Sequence, residues 1–339
     1  MISRRQVIAS LATLGASALP SANFVRAQLD TVRSGSSPMR RLGALMGPAE
    51  NDPEGIRRAA ALEQGLRELG WVAGSNLRIE YRWAAGEADR FQRFAKELVE
   101  LQPDVILANS GPSLVALKQT RSTIPIVFVL VSNPVVGGIV ENLAHPGGNI
   151  TGFAGFDFLI GGKWLETLRE IAGSAVRVAL IGHPEFSPYE EFWQPFESRA
   201  RQLAVEPIRA LVRSESELKT VMEALGGAPR SGFIVLPDVF NAQKKGLLIR
   251  FAENYRLPAV YPYRHFVESG GLISDGIDSG EVFQRSAAYF DRILKGARPA
   301  DLPIQQPTKF ELAINLRTAR ALGLTVPPVL RSRADQVIE

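Results

Sequence analysis

The sequence predicts an α/β protein built as two doubly wound parallel-sheet lobes, and three observations carry that expectation. Short apolar runs alternate with amphipathic helical stripes along most of the chain, an order that puts helices on both faces of a parallel sheet through right-handed crossovers. Several apolar runs end in small polar residues followed at once by proline, which reads as strand, cap and helix start in succession. The chain has 339 residues, 45% of them hydrophobic, enough for two cores of ordinary domain size rather than one.

The strand-cap-proline device is clearest at 103–134. Residues 105–108 and 126–131 are apolar runs, followed by Asn109-Ser110-Gly111 before Pro112 and by Ser132-Asn133 before Pro134. Proline suits the first helical turn because its missing N–H would have had no partner there, and the small polar residue before it caps the exposed N–H groups. Each helix so started turns its positive end toward the carboxyl edge of the sheet, where ligands are held. Asn51-Asp52-Pro53-Glu54 repeats the device after a first strand at 41–46. Three helix starts, at Asp52-Pro53, Gly111-Pro112 and Asn133-Pro134, are therefore expected to converge on one crevice. Asn109, Ser110, Gly111, Ser132 and Asn133 are candidate ligand contacts there, and Ser113 is the preferred side-chain donor.

The rest of the first half fits around that crevice. Ile56, Ala59, Leu62, Leu66 and Leu69 form one helical stripe that stops at Gly70, a residue type that favours helix ends. A strand at 77–83 and a helix at 88–101, with Phe91, Phe94, Ala95, Leu98 and Leu101 inward, complete the alternation. His145-Pro146-Gly147-Gly148-Asn149 breaks it, and a crossing between lobes is placed just after.

In the second half Trp164, Leu165, Leu168 and Ile171 form a helix stripe, 176–181 a strand, and Ser187-Pro188 opens another helix. Tyr189, Phe192, Trp193 and Phe196 recur at helical spacing with Ala200 and Leu203, and such a stripe reads as core rather than as a ligand-stacking row. Strands at 233–236, 259–261 and 271–274 end in Pro237-Asp238, Pro262-Tyr263 and Asp275-Gly276. Asp238, Tyr261, Tyr263, Asp275 and Gly276 are thus candidate walls of the ligand pocket. A helix at 281–294, a proline-bearing linker at 299–307, a strand at 310–314 and a helix capped by Asn315 close the chain. The expected division is 40–150 plus 278–303 for the first lobe and 151–277 plus 304–339 for the second, joined by three crossings.

Residues 1–27 read as a signal peptide: Ser3-Arg4-Arg5, an apolar middle too short to span a bilayer, and Val25-Arg26-Ala27 with small residues at the cleavage positions. Ser-Arg-Arg-Gln-Val-Ile also resembles a twin-arginine export signal. The formal net charge is +4, and Arg4, Arg5 and Arg26 of that leader supply three of those charges, so no basic surface for nucleic acid is expected. The absence of cysteine excludes disulfides, thiolate catalysis and a lipid anchor on an N-terminal cysteine. A soluble protein exported to the periplasm is the expectation.

Enzyme signatures are absent. The three histidines, His145, His183 and His265, stand apart without metal-ligand spacing and read as surface or loop residues. Leu42-Gly43-Ala44-Leu45-Met46-Gly47 lacks dinucleotide-loop spacing, and Ser110-Gly111-Pro112-Ser113 lacks the geometry of a nucleophile elbow. No catalytic residue, metal or cofactor is expected.

Several motifs together resemble a known family. They are Thr123-Ile124-Pro125-Ile126-Val127-Phe128, the run from Leu143-Ala144-His145-Pro146 through Gly147-Gly148-Asn149 to Ile150-Thr151-Gly152, Ala300-Asp301-Leu302-Pro303, Gln306-Pro307-Thr308-Lys309-Phe310-Glu311-Leu312, and Ala321-Leu322-Gly323-Leu324. The chain resembles the ABC-transporter substrate-binding proteins related to the tryptophan-type uptake binding protein, on the type I periplasmic binding fold. The resemblance covers 41–339. It implies a ligand held between two lobes and delivered to an inner-membrane permease. No nucleic-acid partner and a monomeric chain are expected. The resemblance also implies that the loop from Asn109 to Ser113 holds a ligand carboxylate on backbone N–H groups and a hydroxyl. Ser132-Asn133-Pro134 matches a loop that often reads Ser-Asp-Pro. An amide in place of that acid removes a partner for a ligand ammonium group unless Asp238 or Asp275 serves instead, and Asp275 stands where an aromatic residue is frequent. The expected function is capture of a small carboxylate-bearing molecule, an amino acid or an aromatic or organic acid. An exported sensing module and an α/β enzyme of unrecognised mechanism are the alternatives. A repressor sharing these lobes is disfavoured because a leader stands where its DNA-binding helices would be.

Overall fold

The computed structural model describes residues 39–132, 134–135 and 138–339. The signal peptide expected at 1–27 and the candidate contact Asn133 lie outside the described residues.

Strands β1 (Arg40–Met46), β2 (Leu77–Trp83), β3 (Val105–Asn109), β4 (Ile126–Val131) and β5 (Ile150–Ala154) alternate with helices α1 (Pro53–Glu68), α2 (Ala88–Glu100) and α3 (Gly111–Gln119). They form a parallel five-stranded sheet in the order β2-β1-β3-β4-β5. Helices α4 (Ile160–Ile171), α5 (Tyr189–Gln202), α6 (Glu215–Gly226), α7 (Val239–Gln243), α8 (Lys245–Asn254), α9 (Arg264–Glu268) and α10 (Ser279–Leu294) follow, interleaved with β6 (Arg177–Gly182), β7 (Glu206–Leu211), β8 (Ser231–Val235), β9 (Ala259–Tyr261) and β10 (Ile273–Gly276). The chain ends in β11 (Glu311–Asn315), α11 (Leu316–Ala321), α12 (Pro328–Ser332) and β12 (Gln336–Ile338). The second sheet has seven strands in the order β12-β11-β10-β9-β8-β6-β7. Within both sheets the first five strands of the lobe wind alike, so each has a switch point, between β1 and β3 and between β6 and β8, where the connections leave to opposite faces. Among the described strands, only β11 runs antiparallel to its neighbour β10.

Alternation along the central strands sets the two faces. In β1, Leu42, Ala44 and Met46 belong to the same core as Leu62 and Leu66 of α1, whereas Leu45 turns to Phe91, Ala95 and Leu98 of α2 and Leu114 of α3. Phe192, Trp193 and Phe196 of α5 are buried; the aromatic stripe is core.

Three sequence expectations are corrected. Strand β5 pairs with β4 in the first sheet, so the chain stays with that sheet through Ala154 instead of leaving it after residue 150. Pro134 opens a turn rather than a helix, which leaves two cap-proline helix starts in this lobe, at Pro53 and Pro112. On α1, Ile56 is exposed, as is Leu69 just past its end, while Arg58 lies on the buried face with Leu62 and Leu66. The structure adds β7 and α6, and Ser214 and Glu217 mark the start of α6: the Ser214 hydroxyl accepts from the Glu217 N–H.

Candidate functional site

The carboxyl ends of β1, β3 and β4 face those of β6, β8 and β9 across a cleft. Pro48 and Asp52, Asn109 to Gly111, and Leu130 to Ser132 form one wall; Phe186 and Pro188, Pro237 to Val239, and Tyr263 and His265 form the other. The walls meet at the rim, where the rings of Phe91 and Phe186 pack edge to face at 6.3 Å and Val239 joins the core of the first lobe.

Two backbone distortions shape the first wall. Ser110 has φ of 95° and Leu130 φ of 63°, and at Leu130 the register of β4 against β5 shifts by a bulge. Side chains other than glycine adopt such conformations at a cost, and bulges re-aim the residues next to them. Here the distortion turns Ser110 and Leu130 to Ser132 along the cleft, at the N-terminal end of α3.

Of the sequence candidates, Asn109, Ser110, Gly111, Ser132, Asp238 and Tyr263 line the cleft. Four do not. Ser113 is fully buried, and its hydroxyl donates to the Asn109 carbonyl at 2.7 Å while sharing a 3.1 Å contact with the Ser110 hydroxyl. It braces the loop from behind. Tyr261 is buried, stacked on Phe266 at 5.1 Å. The Asp275 carboxylate is turned to α4, accepting from Lys163 Nζ at 2.9 Å and Thr167 Oγ1 at 3.1 Å. Gly276 allows a close approach of backbones: a Cβ there would lie 1.9 Å from the Pro262 carbonyl oxygen. Ser113 lies in the first turn of α3 and the other three at strand ends; helix starts and strand ends also build the core, and periodicity cannot tell which neighbour a side chain meets.

Asp238 caps α7. Its carboxylate accepts from the Asn241 N–H at 2.8 Å, from Asn241 Nδ2 at 3.0 Å and from the His183 N–H at 2.9 Å. Burial nevertheless raises its pKa to about 7, against the pull of those N–H groups.

The most strongly charged part of the wall lies on α1 and was missed. Burial would raise the Glu54 carboxyl, but Arg58 and Arg57 beside it hold it down to about 2. Arg57 grips Glu54 with Nε at 2.8 Å and Nη2 at 2.9 Å, and the Ser279 hydroxyl donates to the same carboxylate. Arg58, only 8% exposed, gives its Nε to Glu54 at 3.1 Å and lies over the Tyr263 ring, 5.4 Å from its centre. His265 stacks on Tyr263 at 5.6 Å, and burial lowers its pKa to about 3, so it is neutral. The reading of the histidines as surface or loop residues is corrected for His265, which lies on α9 facing the cleft; His183 does lie in a loop, after β6, but is buried and stacked on Phe186 at 4.1 Å. A signal for Arg58 was present: a charged residue in line with Leu62 and Leu66 at four-residue spacing on a buried helical face.

Among the described residues, no group of three or more His, Asp or Glu side chains could hold a metal, and no helix is long and apolar enough to cross a membrane. The arrangement offers a two-sided cleft with cations, backbone donors and aromatic faces, which is suited to hold a small polar molecule.

Comparison with known proteins bears on that arrangement. The family model for ABC transporter substrate binding proteins matches residues 54–338. A tyrosine-binding protein of Clostridioides difficile (strain R20291) is 24% identical over 262 residues, which are 77% of this chain and 75% of that protein. Among solved structures, a conserved domain protein of Vibrio cholerae O1 biovar El Tor superposes with a TM-score of 0.82 at 24% identity, covering 88% of this chain and 99% of that one. An ABC domain of Streptococcus pneumoniae in complex with L-Trp superposes with a TM-score of 0.82 at 21% identity, covering 89% of this chain and all 100% of that one. The fold is the type I periplasmic binding fold.

Proposed function

The chain belongs to the ABC transporter substrate-binding proteins, and from that premise we propose that it is the periplasmic component of an importer, capturing a small carboxylate-bearing molecule between its lobes. One observation carries the reading: the switch points of two like-wound sheets face each other across the cleft, the place where open α/β sheets hold ligands. It is a binding protein, not an enzyme.

The ligand class is an amino acid or an aromatic or organic acid. The L-Trp and tyrosine of the relatives' names support an aromatic member, as do Phe186 and Tyr263 in the walls. The Gly111 end of α3 supplies backbone N–H groups for an acid. Asp275 turns away to Lys163 and Thr167, so of the two acids considered as ammonium partners Asp238 is the one on the cleft, although its carboxylate also caps α7. The leader expected at 1–27 supports export, and a membrane permease is the partner that takes the ligand from the monomeric closed form.

A thermal-shift screen of amino acids and small aromatic and aliphatic acids tests this. A ligand binding only the folded state at a hundredfold excess over its Kd adds about 2.7 kcal/mol of stability, and scattering reports whether the lobes close further or hold their spacing. Stabilisation by none of these acids would reject the reading.

A further inference from the structure

We propose that Arg58 is the clamp for the ligand's carboxylate, and so the residue that makes the cleft select acids. The inference rests on the reading above that the cleft captures a small acid, and names the group that does it. Arg58 is 8% exposed and lines the cleft. A guanidinium carries five N–H donors. Only the Nε is engaged, by Glu54 at 3.1 Å; Nη1 and Nη2 bond to no protein group among the described residues, yet neither is sealed away from the open space. Burying a charged group with most of its donors unused is costly unless something else meets them.

The surroundings fix where those donors point. Glu54 is itself gripped by both Nε and Nη2 of Arg57 and by Ser279, so the Nε of Arg58 is anchored to an immobile carboxylate. The Tyr263 ring lies beneath the guanidinium at 5.4 Å, a placement that favours a cation and holds its plane. Arg57 divides its pairing between Glu54 and Asp278, while Arg58 pairs with Glu54 alone and through its Nε only. A planar cation with its outer edge open to a cavity matches a carboxylate through two parallel N–H···O bonds, which a lysine cannot reproduce. Ser113, by contrast, has its hydroxyl committed to Asn109.

The test is calorimetric titration of wild type, Arg58→Gln and Arg58→Lys with L-tryptophan, L-tyrosine, phenylacetate and 4-hydroxybenzoate, and with the carboxamide of whichever acid binds. Melting curves without ligand establish that the variants fold, and Arg58→Lys keeps the charge beside Glu54 should Arg58→Gln not fold. The expected result is a wild type that prefers the acid to its carboxamide by at least about tenfold. Arg58→Gln loses about ten- to a hundredfold in affinity for the acid and little for the carboxamide, and Arg58→Lys falls between. Acid affinity unchanged in both folded variants overturns the clamp while leaving the binding function intact. Equal affinity of wild type for acid and carboxamide overturns the acid reading and the clamp with it; if none of the four acids binds, the titration is run with whichever acid stabilises wild type in the screen above, and no stabilising acid there overturns both.

Discussion

Replacing Gly65 by alanine probes how α1, which carries Glu54 and Arg58 into the cleft, is seated. Gly65 lies two helical turns beyond Arg58 and faces α10. An added Cβ would stand 2.5 Å from the Gln284 carbonyl oxygen and 2.8 Å from the Ala287 Cβ, whereas carbon atoms in good contact are about 3.5–4.0 Å apart. The helices must therefore part by roughly 1 Å, since a backbone carbonyl inside a helix cannot swing aside. Two effects compete. Alanine favours a helix over glycine by about 1 kcal/mol, and overpacking of a filled interface costs about 1–3 kcal/mol. The obstacle being backbone puts this site at the costly end, so the net loss is about 2 kcal/mol, or a fall in Tm of roughly 4–8 °C if the first lobe unfolds as a unit. Gly246→Ala is the control: it lies in α8, where the nearest atom to a new Cβ is the Arg250 Nη1 at 3.6 Å, and it should leave Tm unchanged or slightly raised. Differential scanning calorimetry of both variants decides. Gly65→Ala melting at or above wild type would refute the close seating of α1 on α10, and with it the fixed aim of Arg58.

Ser113→Ala should lower stability by about 1 kcal/mol in chemical denaturation, because Asn109 loses its buried donor, while ligand affinity stays within about twofold; a tenfold loss of affinity would return Ser113 to the site. For Asp238 the folded pKa of about 7 exceeds the unfolded value, so the folded chain holds a proton that the unfolded chain gives up. Its contribution to stability is complete below about pH 4 and is lost as pH rises through 7, by at most about 4 kcal/mol. Denaturation midpoints between pH 4.5 and 8 should show this slope in wild type and a flatter one in Asp238→Asn; parallel slopes would contradict it. N-terminal sequencing of secreted protein should find a chain starting near Gln28, and a retained Met1 would argue against export.

The sequence by itself determined the alternation of strands and helices, the cap-proline starts of α1 and α3, the aromatic stripe of α5 as core, and the loops after β3 and β8 as cleft walls. These are local properties: apolar periodicity, proline at a first turn and a small polar cap depend on neighbours within a few residues. Tertiary structure alone decided which strand-end residues face the cleft. Asp238 and Asp275 each follow an apolar run, yet one lines the cleft and the other turns to Lys163 and Thr167, because α4 happens to pack beside the second. It also decided that β5 joins the first sheet, since nothing near Ile150 in the chain records that β4 has a free edge. Arg58 shows the limit most clearly. A charged residue on a helix is solvated in the ordinary case, and only the meeting of α1 with Tyr263 from the other lobe, and with Ser279 holding Glu54, turns this one into a buried cation open to a cavity. Such a site is assembled from residues more than two hundred positions apart, and burial, not spacing, gives them their chemistry.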